Sequence, residues 1–204
     1  MLLKLQFLLF SLLFLCACQN NHGASNPYVE KGNAKWKAKD YKGALLEYDQ
    51  AVKAEPDYAL LYLNRAKLKW VLKDNNAAIA DYEKAISLDR KFSLAYILLA
   101  DIKLNSKDTA GALKVYSRMI DAVPDNFNGY LHRAQVEHKI NNNKAALQDY
   151  NKAIALNEKD GTLYILRGYA KHDLGDKNGA CMDFNKAKGL GDNTADDDIS
   201  LLCR

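Results

Sequence analysis

The chain has 204 residues, of which 49% are hydrophobic and 26% charged, and its formal net charge is +4 at pH 7. This balance is typical of a folded soluble body and excludes a chain that is disordered throughout. Because the lysines are scattered among aspartates, the sequence lacks the concentrated basic face of a nucleic-acid-binding protein, and no nucleic-acid partner is expected.

The N-terminus differs from the rest of the chain. Residues 1–15 carry a single charge, Lys4, followed by an almost unbroken apolar run from residue 5 to residue 15. The run is shorter than the roughly 20 residues of a membrane-spanning helix. A basic start, a short apolar stretch and small residues after it are typical of a secretory signal.

Residues 15–18, Leu-Cys-Ala-Cys, resemble the lipobox of bacterial lipoproteins, in which a small residue precedes a cysteine that is acylated. Cys18 fits better than Cys16, because the bulky Leu15 precedes Cys16. The resemblance implies a signal peptide over residues 1–17 and lipid on Cys18. An uncleaved signal-anchor helix and an ordinary signal peptide are the alternatives.

The polar residues 18–24 are then a short lipidated tether. The lipobox resemblance places the protein in a bacterial cell envelope, anchored to a membrane by its lipid. Gln19, which is not acidic, favours the outer membrane over the inner one.

From Ser25 onward the chain repeats with a period of 34 residues and no insertion. With Ser25 as position 1, position 4 is always tyrosine, position 20 always alanine and position 24 always a large aromatic residue. Positions 8, 20 and 27 are small, except for Met119, so two helix backbones can approach closely. Each unit reads as two helices, with a turn at Lys39-Asp40 in the first. Such helices are marginal alone, so each unit needs its neighbours.

These positions resemble the signature of the tetratricopeptide repeat family, although proline at position 32 occurs only as Pro56 and Pro124. The resemblance implies an all-α, right-handed α-solenoid of five helix–turn–helix units and a C-terminal capping helix. The predicted units are residues 25–58, 59–92, 93–126, 127–160 and 161–192, and the predicted cap is residues 193–204.

Positions 7 and 23 change together. They are basic and acidic in four units, and both are apolar in the third, as Leu99 and Val115. The concerted change indicates that the two positions touch within a unit. We therefore predict three structural ion pairs, worth about 0–1 kcal/mol each if exposed: Arg65–Asp81, Arg133–Asp149 and Arg167–Asp183.

The C-terminal segment carries Thr194, which we expect to cap a final helix, followed by acidic residues suited to its first turn. Cys181 occupies position 21, which faces the following helix, and Cys203 lies on that helix. An exported protein meets an oxidising compartment, so a disulfide between them is one prediction. Two buried free thiols are the alternative.

No catalytic constellation is apparent. His138 and His172 share position 12 on consecutive units, a separation too long for one metal ion. The sequence contains no phosphate loop, CxxC motif or catalytic Ser/His/Asp grouping. We therefore expect no enzymatic activity, no metal and no cofactor.

In tetratricopeptide arrays the first helices line a concave groove, to which positions 2, 5, 9, 12 and 13 contribute. The resemblance thus predicts a partner-binding groove that includes Asn33, Trp36, Lys37, Leu63, Lys67, Trp70, Asp101, Gln135, His138, Tyr169 and His172. Both tryptophans of the chain are at position 12 of adjacent units. They are interpreted either as ligand anchors or as covers of the seams between units.

Chaperone-binding members of the family hold a terminal carboxylate with a cationic clamp. Asn33 and Asn64 match two clamp positions, but Val29, Leu94 and Leu98 replace its cations, so this mode is excluded. The predicted function is a non-catalytic scaffold that binds a protein or peptide in the groove while its lipid anchors it to a membrane. A glycan- or small-molecule-binding lipoprotein is the alternative.

Overall fold

The computed structural model describes residues 26–203, which form eleven α-helices and no β-strand. The predicted signal peptide, the lipidation site Cys18 and the tether lie outside this part of the chain. The helices are α1 (Pro27–Lys37), α2 (Tyr41–Ala54), α3 (Ala59–Val71), α4 (Asn75–Leu88), α5 (Ser93–Asn105), α6 (Thr109–Ala122), α7 (Phe127–Lys139), α8 (Asn143–Leu156), α9 (Gly161–Asp173), α10 (Lys177–Gly189) and α11 (Asp196–Leu202). The first ten pair into five helix–turn–helix units, the predicted all-α repeat fold. None of the eleven has the length and apolar character needed to cross a membrane.

One left-handed residue and one capping residue build the turn inside each unit. Position 15 has φ between 61° and 68° in four units and is Gly175, with φ 85°, in the fifth. The next residue ends the first helix, as when the Asp40 N–H donates to the Lys35 carbonyl at 2.9 Å. Its side chain also caps the second helix, as when Asp40 Oδ1 accepts from the Gly43 N–H at 2.9 Å. The aspartates of three other units repeat this cap, whereas Asn142 makes no such side-chain bond.

Small residues bring the two helices of a unit together. The alanines at position 20 are at most 1% exposed. At Gly168, on position 8, an added Cβ would lie 2.5 Å from the Phe184 ring, so only glycine fits there without a shift. Tyr82, Tyr116 and Tyr150 are buried at position 24 in the same way as Phe184. The repeat signature is therefore a packing requirement of the helix pair.

Three of the five tyrosines at position 4 join consecutive units. Their hydroxyls donate to a carbonyl in the loop that ends the preceding unit: Tyr62 to Pro56 at 2.9 Å, Tyr96 to Arg90 at 3.2 Å and Tyr164 to Glu158 at 3.1 Å. Each ring is buried at the seam, with an exposed fraction of at most 8%. These tyrosines thus attach the first helix of one unit to the loop that ends the preceding unit.

The structure contains the three ion pairs between positions 7 and 23, each with two parallel N–H···O bonds of 2.6–2.9 Å. Their carboxylates are buried, at 5% exposure for Asp81, 7% for Asp149 and 4% for Asp183. The small stabilisation expected for exposed ion pairs therefore does not apply to these three pairs. In the third unit Leu99 and Val115 are buried at the same two positions.

The third nitrogen of each arginine reaches the unit before it. Nη1 of Arg65, Arg133 and Arg167 donates to position 25 of the preceding unit, at Asp49 (2.9 Å), Ser117 (3.0 Å) and Asn151 (2.8 Å). One guanidinium thus joins the second helices of two consecutive units.

In the first unit the basic residue at position 7 does not pair with position 23. Glu47 instead accepts from Lys35, at 2.6 Å, while the Lys31 ammonium lies 5.9 Å from the centre of the Tyr28 ring. A lysine at position 11 also forms an ion pair with position 23 in two other units. Lys69 lies 2.7 Å from Asp81, and Lys171 lies 2.8 Å from Asp183.

Helix α11 covers the end of the last unit. Ile199 and Leu202 pack against the core formed by α9 and α10, and a disulfide joins Cys181 to Cys203 across a sequence separation of 22 residues. The expectation for Thr194 is wrong: the N-cap of α11 is Ala195, with no side-chain cap bond. The Thr194 hydroxyl instead donates to Asp192 at 2.7 Å.

Candidate functional site

The first helices of the units, α1, α3, α5, α7 and α9, together present one face of the array, which we call the first-helix face. Side chains of consecutive first helices meet there, as when the His138 imidazole on α7 bonds to Asp173 on α9 at 2.9 Å. Position 9 contributes one side chain per unit to this face: Asn33, Lys67, Asp101, Gln135 and Tyr169.

A pocket of about 260 Å³ lies between α1 and α3, and we call it the Trp36 pocket. Six side chains line it: Asn33, Trp36, Lys37, Tyr48, Asn64 and Lys67. Four of these were predicted as groove residues, so the structure brings the N-terminal part of the predicted groove together. The pocket combines an indole, two amides and two ammonium groups, which suits a ligand with an apolar body and an anionic group.

Aromatic contacts and one hydrogen bond fix the floor of the Trp36 pocket. The Trp36 ring centre lies 6.3 Å from that of Tyr41 and 6.4 Å from that of Tyr48, and the indole is half-buried. The Tyr48 hydroxyl donates to Asn33 Oδ1 at 2.7 Å, which orients the amide. Burial raises the pKa of Tyr48, so its hydroxyl stays a neutral donor.

Trp70 does not share this pocket. It lines a separate depression of about 460 Å³ with Val71, Lys73, Asn75 and Asn105, and it also packs against the core. The two tryptophans thus line separate depressions: Trp36 belongs to the pocket between α1 and α3, whereas Trp70 faces the end of α5.

Leu63 was also predicted to line the groove, and this prediction is wrong. Its exposed fraction is 2%, and it belongs to the hydrophobic core. Position 5 of this unit packs inward, so Leu63 has no surface to offer a ligand.

Asp101 lies at the centre of the first-helix face and is half-buried. Burial raises the pKa of its carboxyl, and the nearby His132 opposes that shift. The Asp101 charge adds to burial in raising the pKa of the Tyr82 and Tyr116 phenols. Within the described residues, Asp101 has no hydrogen bond or ion pair from its side chain.

His132 stacks on Tyr116 with ring centres 5.6 Å apart and an interplanar angle of 18°, and its Nδ1 lies 3.2 Å from Gln135 Oε1. Gln135 is exposed, as predicted for a groove residue. His132 was missed in the sequence, because position 6 was considered only as part of the chaperone clamp.

The C-terminal part of the face holds a small charged cluster. Asp173 accepts from His138 Nε2 at 2.9 Å, and its second oxygen lies 3.5 Å from His172 Nδ1. The bond from His138, with a smaller contribution from His172, lowers the pKa of Asp173. In residues 26–203 no group of three or more His, Cys, Asp or Glu side chains is arranged to hold a metal ion. Nearby, Tyr169 packs edge-on against Phe184, at 5.2 Å.

Tyr48 was not among the predicted groove residues, yet its hydroxyl reaches the Trp36 pocket. Its repeat position gives no signal for this, because the hydroxyls of Tyr82 and Tyr150, at the same position, are buried without a hydrogen-bond partner among the described residues.

Five stacked helix pairs, with a polar and aromatic face on their first helices, define a helical-repeat protein of the interaction class. The model of the family described as tetratricopeptide repeat matches residues 29–91, 63–127 and 97–161, more than half of the chain. The chain belongs to the tetratricopeptide repeat family.

Solved structures show the same fold. A crystal structure of MamA protein is 23% identical, covers 83% of this chain and 92% of its own, and superposes with a TM-score of 0.66. MamA from Desulfovibrio magneticus RS-1 is 16% identical over 82% of this chain and 94% of its own, with a TM-score of 0.65. YrrB, described as a TPR protein with an unusual peptide-binding site, is 15% identical over 81% and 85%, with a TM-score of 0.60. No curated protein sequence matches the chain.

Proposed function

We propose that this protein is a non-catalytic scaffold that binds a peptide or protein partner on its first-helix face. The observation that carries the proposal is the Trp36 pocket, where two lysines and two amides surround a half-buried indole. Members of a repeat family with this architecture are interaction scaffolds in general, and the family match supports that class of function. The fold alone does not identify the partner.

We further propose that lipid on Cys18 holds this scaffold at a bacterial envelope membrane, preferentially the outer membrane. The motif at residues 15–18 supports this, and Cys16 provides a matched control. Mass spectrometry of the mature N-terminus should find the lipid on Cys18, lost in Cys18→Ser and retained in Cys16→Ser. Envelope fractionation should recover the protein with the outer membrane. An unmodified Cys18, or recovery with the inner membrane, contradicts the corresponding part of the proposal.

Crosslinking in the native cell tests the binding face. The variants Trp36→Ala and Trp70→Ala form a matched pair, because both remove a half-buried indole at position 12 and only Trp36 lines the pocket. We expect Trp36→Ala to lose most crosslinked partner and Trp70→Ala to retain it. Unchanged capture by Trp36→Ala contradicts the proposal.

The alternative, a glycan-binding lipoprotein, uses the same aromatic residues and is tested with the same two variants. Saturable binding of a soluble glycan that depends on Trp36 would favour it over the protein scaffold. The volume of the Trp36 pocket, about 260 Å³, is below the roughly 300–1,000 Å³ typical of small-molecule sites. The pocket therefore suits a side chain of a larger partner better than a whole ligand.

A further inference from the structure

The second helix of each unit turns one stripe of side chains to solvent, and we call the five stripes together the second-helix face. The stripe consists of repeat positions 18, 22, 26 and 29, whose spacing places them on one side of a helix. Every residue at these positions is exposed except Arg118, which is half-buried. The second-helix face lies on the side of each helix pair opposite to the first helices and has no role in the proposed binding of a partner.

Basic residues predominate on the second-helix face, where Asp121 is the single acidic residue. The basic residues are Lys42, Lys53, Lys84, Lys114, Arg118, Lys144, Lys152 and Lys186. Along the chain these residues alternate with acidic ones, but the fold separates the two charges. Asp81, Asp149 and Asp183 are buried in ion pairs with the first helices, and arginines hold the two acids at position 25. The fold therefore creates a concentration of positive charge that the order of the residues does not show.

The lysines of the second-helix face have no anionic partner within the described part of the chain. Of its eight basic residues, only Arg118 forms an ion pair there, with Glu83. Some of the lysines are held over aromatic rings, as when the Lys84 ammonium lies 5.9 Å from the centre of the Tyr62 ring. Their charges are therefore available to an external surface of negative charge.

Two strongly exposed apolar side chains accompany these lysines. Leu46 is 65% exposed and Met182 is 72% exposed, and they occupy position 22 of the first and the last unit. Apolar side chains among lysines are typical of surfaces that lie in a membrane interface, where the lysines bind headgroups and the apolar groups enter the acyl boundary. A nucleic-acid backbone offers Leu46 and Met182 no such contact, so the combination favours a lipid surface.

We propose that the second-helix face lies on anionic phospholipid headgroups, so that the first-helix face points away from the membrane. This inference rests on the proposed lipid anchor at Cys18. Residues 19–25 can span at most about 25 Å before the array begins at Asn26, the N-cap of α1. The first unit, which carries Lys42 and Leu46, is therefore kept close to the membrane. The anchor makes headgroup binding an intramolecular event, so individually weak lysine contacts suffice to orient the array.

Lysine acetylation on vesicles tests the orientation. The protein is produced from the full chain in a bacterium, purified from membranes in detergent, and added to preformed vesicles of phosphatidylcholine, either pure or mixed with phosphatidylglycerol. A water-soluble reagent then acetylates the lysines, and mass spectrometry measures the rate at each. We expect Lys114 and Lys152 to react about threefold more slowly on the anionic vesicles, and added salt to remove the difference. Lys67 and Lys139, which are exposed on the first-helix face, should react equally on both.

A matched pair of variants tests whether position on the molecule matters, or only total charge. Lys114→Gln/Lys152→Gln and Lys67→Gln/Lys139→Gln each remove two exposed lysines, from the second-helix face and the first-helix face respectively. On anionic vesicles we expect the first variant to lose most of the protection at Lys186 and the second to retain it. Equal protection of Lys186 in the two variants contradicts a contact through the second-helix face.

Sedimentation with the vesicles separates this inference from the proposed anchor. Equal acetylation on the two kinds of vesicle, or protection of Lys67 and Lys139 instead, overturns the inference, while sedimentation with neutral vesicles leaves the anchor in place. Sedimentation with anionic vesicles alone, with Lys114 and Lys152 protected, supports the inference and overturns the anchor. No sedimentation with either kind overturns both. Lysines that are protected in intact cells but not on vesicles indicate an acidic protein on the second-helix face, which also overturns the inference.

Discussion

Each arginine at repeat position 7 contacts two other helices, because its three nitrogens point in different directions. In Arg133, Nε and Nη2 bind Asp149 in the same unit, and Nη1 binds Ser117 in the preceding one. The pairing with position 23 was predictable, since both positions become apolar together in the third unit. The contact with position 25 was not, because that acceptor varies among Asp, Ser and Asn and leaves no pattern of charge.

The fourth unit provides the cleanest test of this ion pair, because Asp149 has no lysine partner there. We expect Asp149→Ala to destabilise the protein by about 3 kcal/mol, since it leaves the Arg133 guanidinium unpaired in a largely buried position. The double variant Arg133→Leu/Asp149→Val copies the third unit and should be within about 1 kcal/mol of the parent. Urea denaturation measures both. A double variant as unstable as Asp149→Ala would show that the pair itself stabilises the fold.

At the scale of helices and turns, position 15 requires a left-handed residue, yet four of the five turns place lysine or asparagine there. Most L-residues adopt this conformation at a cost of about 1 kcal/mol or more, and glycine adopts it freely. The turn is maintained because the next residue both ends one helix and caps the other. The helix pairs were predictable from such local signals, since each depends on residues close in sequence.

Glycine substitutions test the strain in these turns. We expect Lys73→Gly to stabilise the protein by about 0.5 kcal/mol and Gly175→Ala to destabilise it by about 1 kcal/mol. Asn141→Gly is the control, with a smaller gain than Lys73→Gly because asparagine tolerates positive φ better. Thermal unfolding measures all three. A loss of stability in Lys73→Gly would show that this turn is not strained.

The capping helix α11 has only seven residues, so it depends on the disulfide and on two apolar contacts. Closing a loop of 22 residues contributes about 3 kcal/mol in the chain-entropy model. We therefore expect Cys181→Ser/Cys203→Ser to lower the unfolding temperature in the absence of reductant. A reductant should lower that of the parent to the same value and leave the variant unchanged. Equal temperatures for the oxidised parent and the variant would contradict this role of the disulfide.

At the scale of the whole molecule, the units form a linear array in which each contacts its neighbours in sequence. Stability in such arrays is greatest where a unit has neighbours on both sides. We expect amide hydrogen exchange to be slowest in α5 and α6 and faster in α1, α2 and α10. Reduction of the disulfide should accelerate exchange in α9–α11 and leave α1–α4 unchanged. Uniform acceleration along the chain would instead indicate a single cooperative unit.

The array and its binding face were predictable to different extents. The period fixes which side chains lie on the first helices, so Asn33, Trp36, Lys37 and Lys67 were predicted and share one pocket. The period does not fix what surrounds each position. Trp36 and Trp70 occupy the same repeat position, yet one rests on Tyr41 and Tyr48 and the other faces Asn105. Such differences arise from the neighbouring unit, which a single-unit pattern does not describe.

Because Leu99 replaces the arginine at position 7, a different guanidinium joins the second and third units. Arg118 on α6 donates to both oxygens of Glu83 on α4, at 2.8 and 2.7 Å. The Arg118 side chain is 39% exposed and that of Glu83 42%, whereas the arginines at position 7 are 17–26% exposed. Salt screens exposed charges more than buried ones, so added salt should weaken this junction before the others.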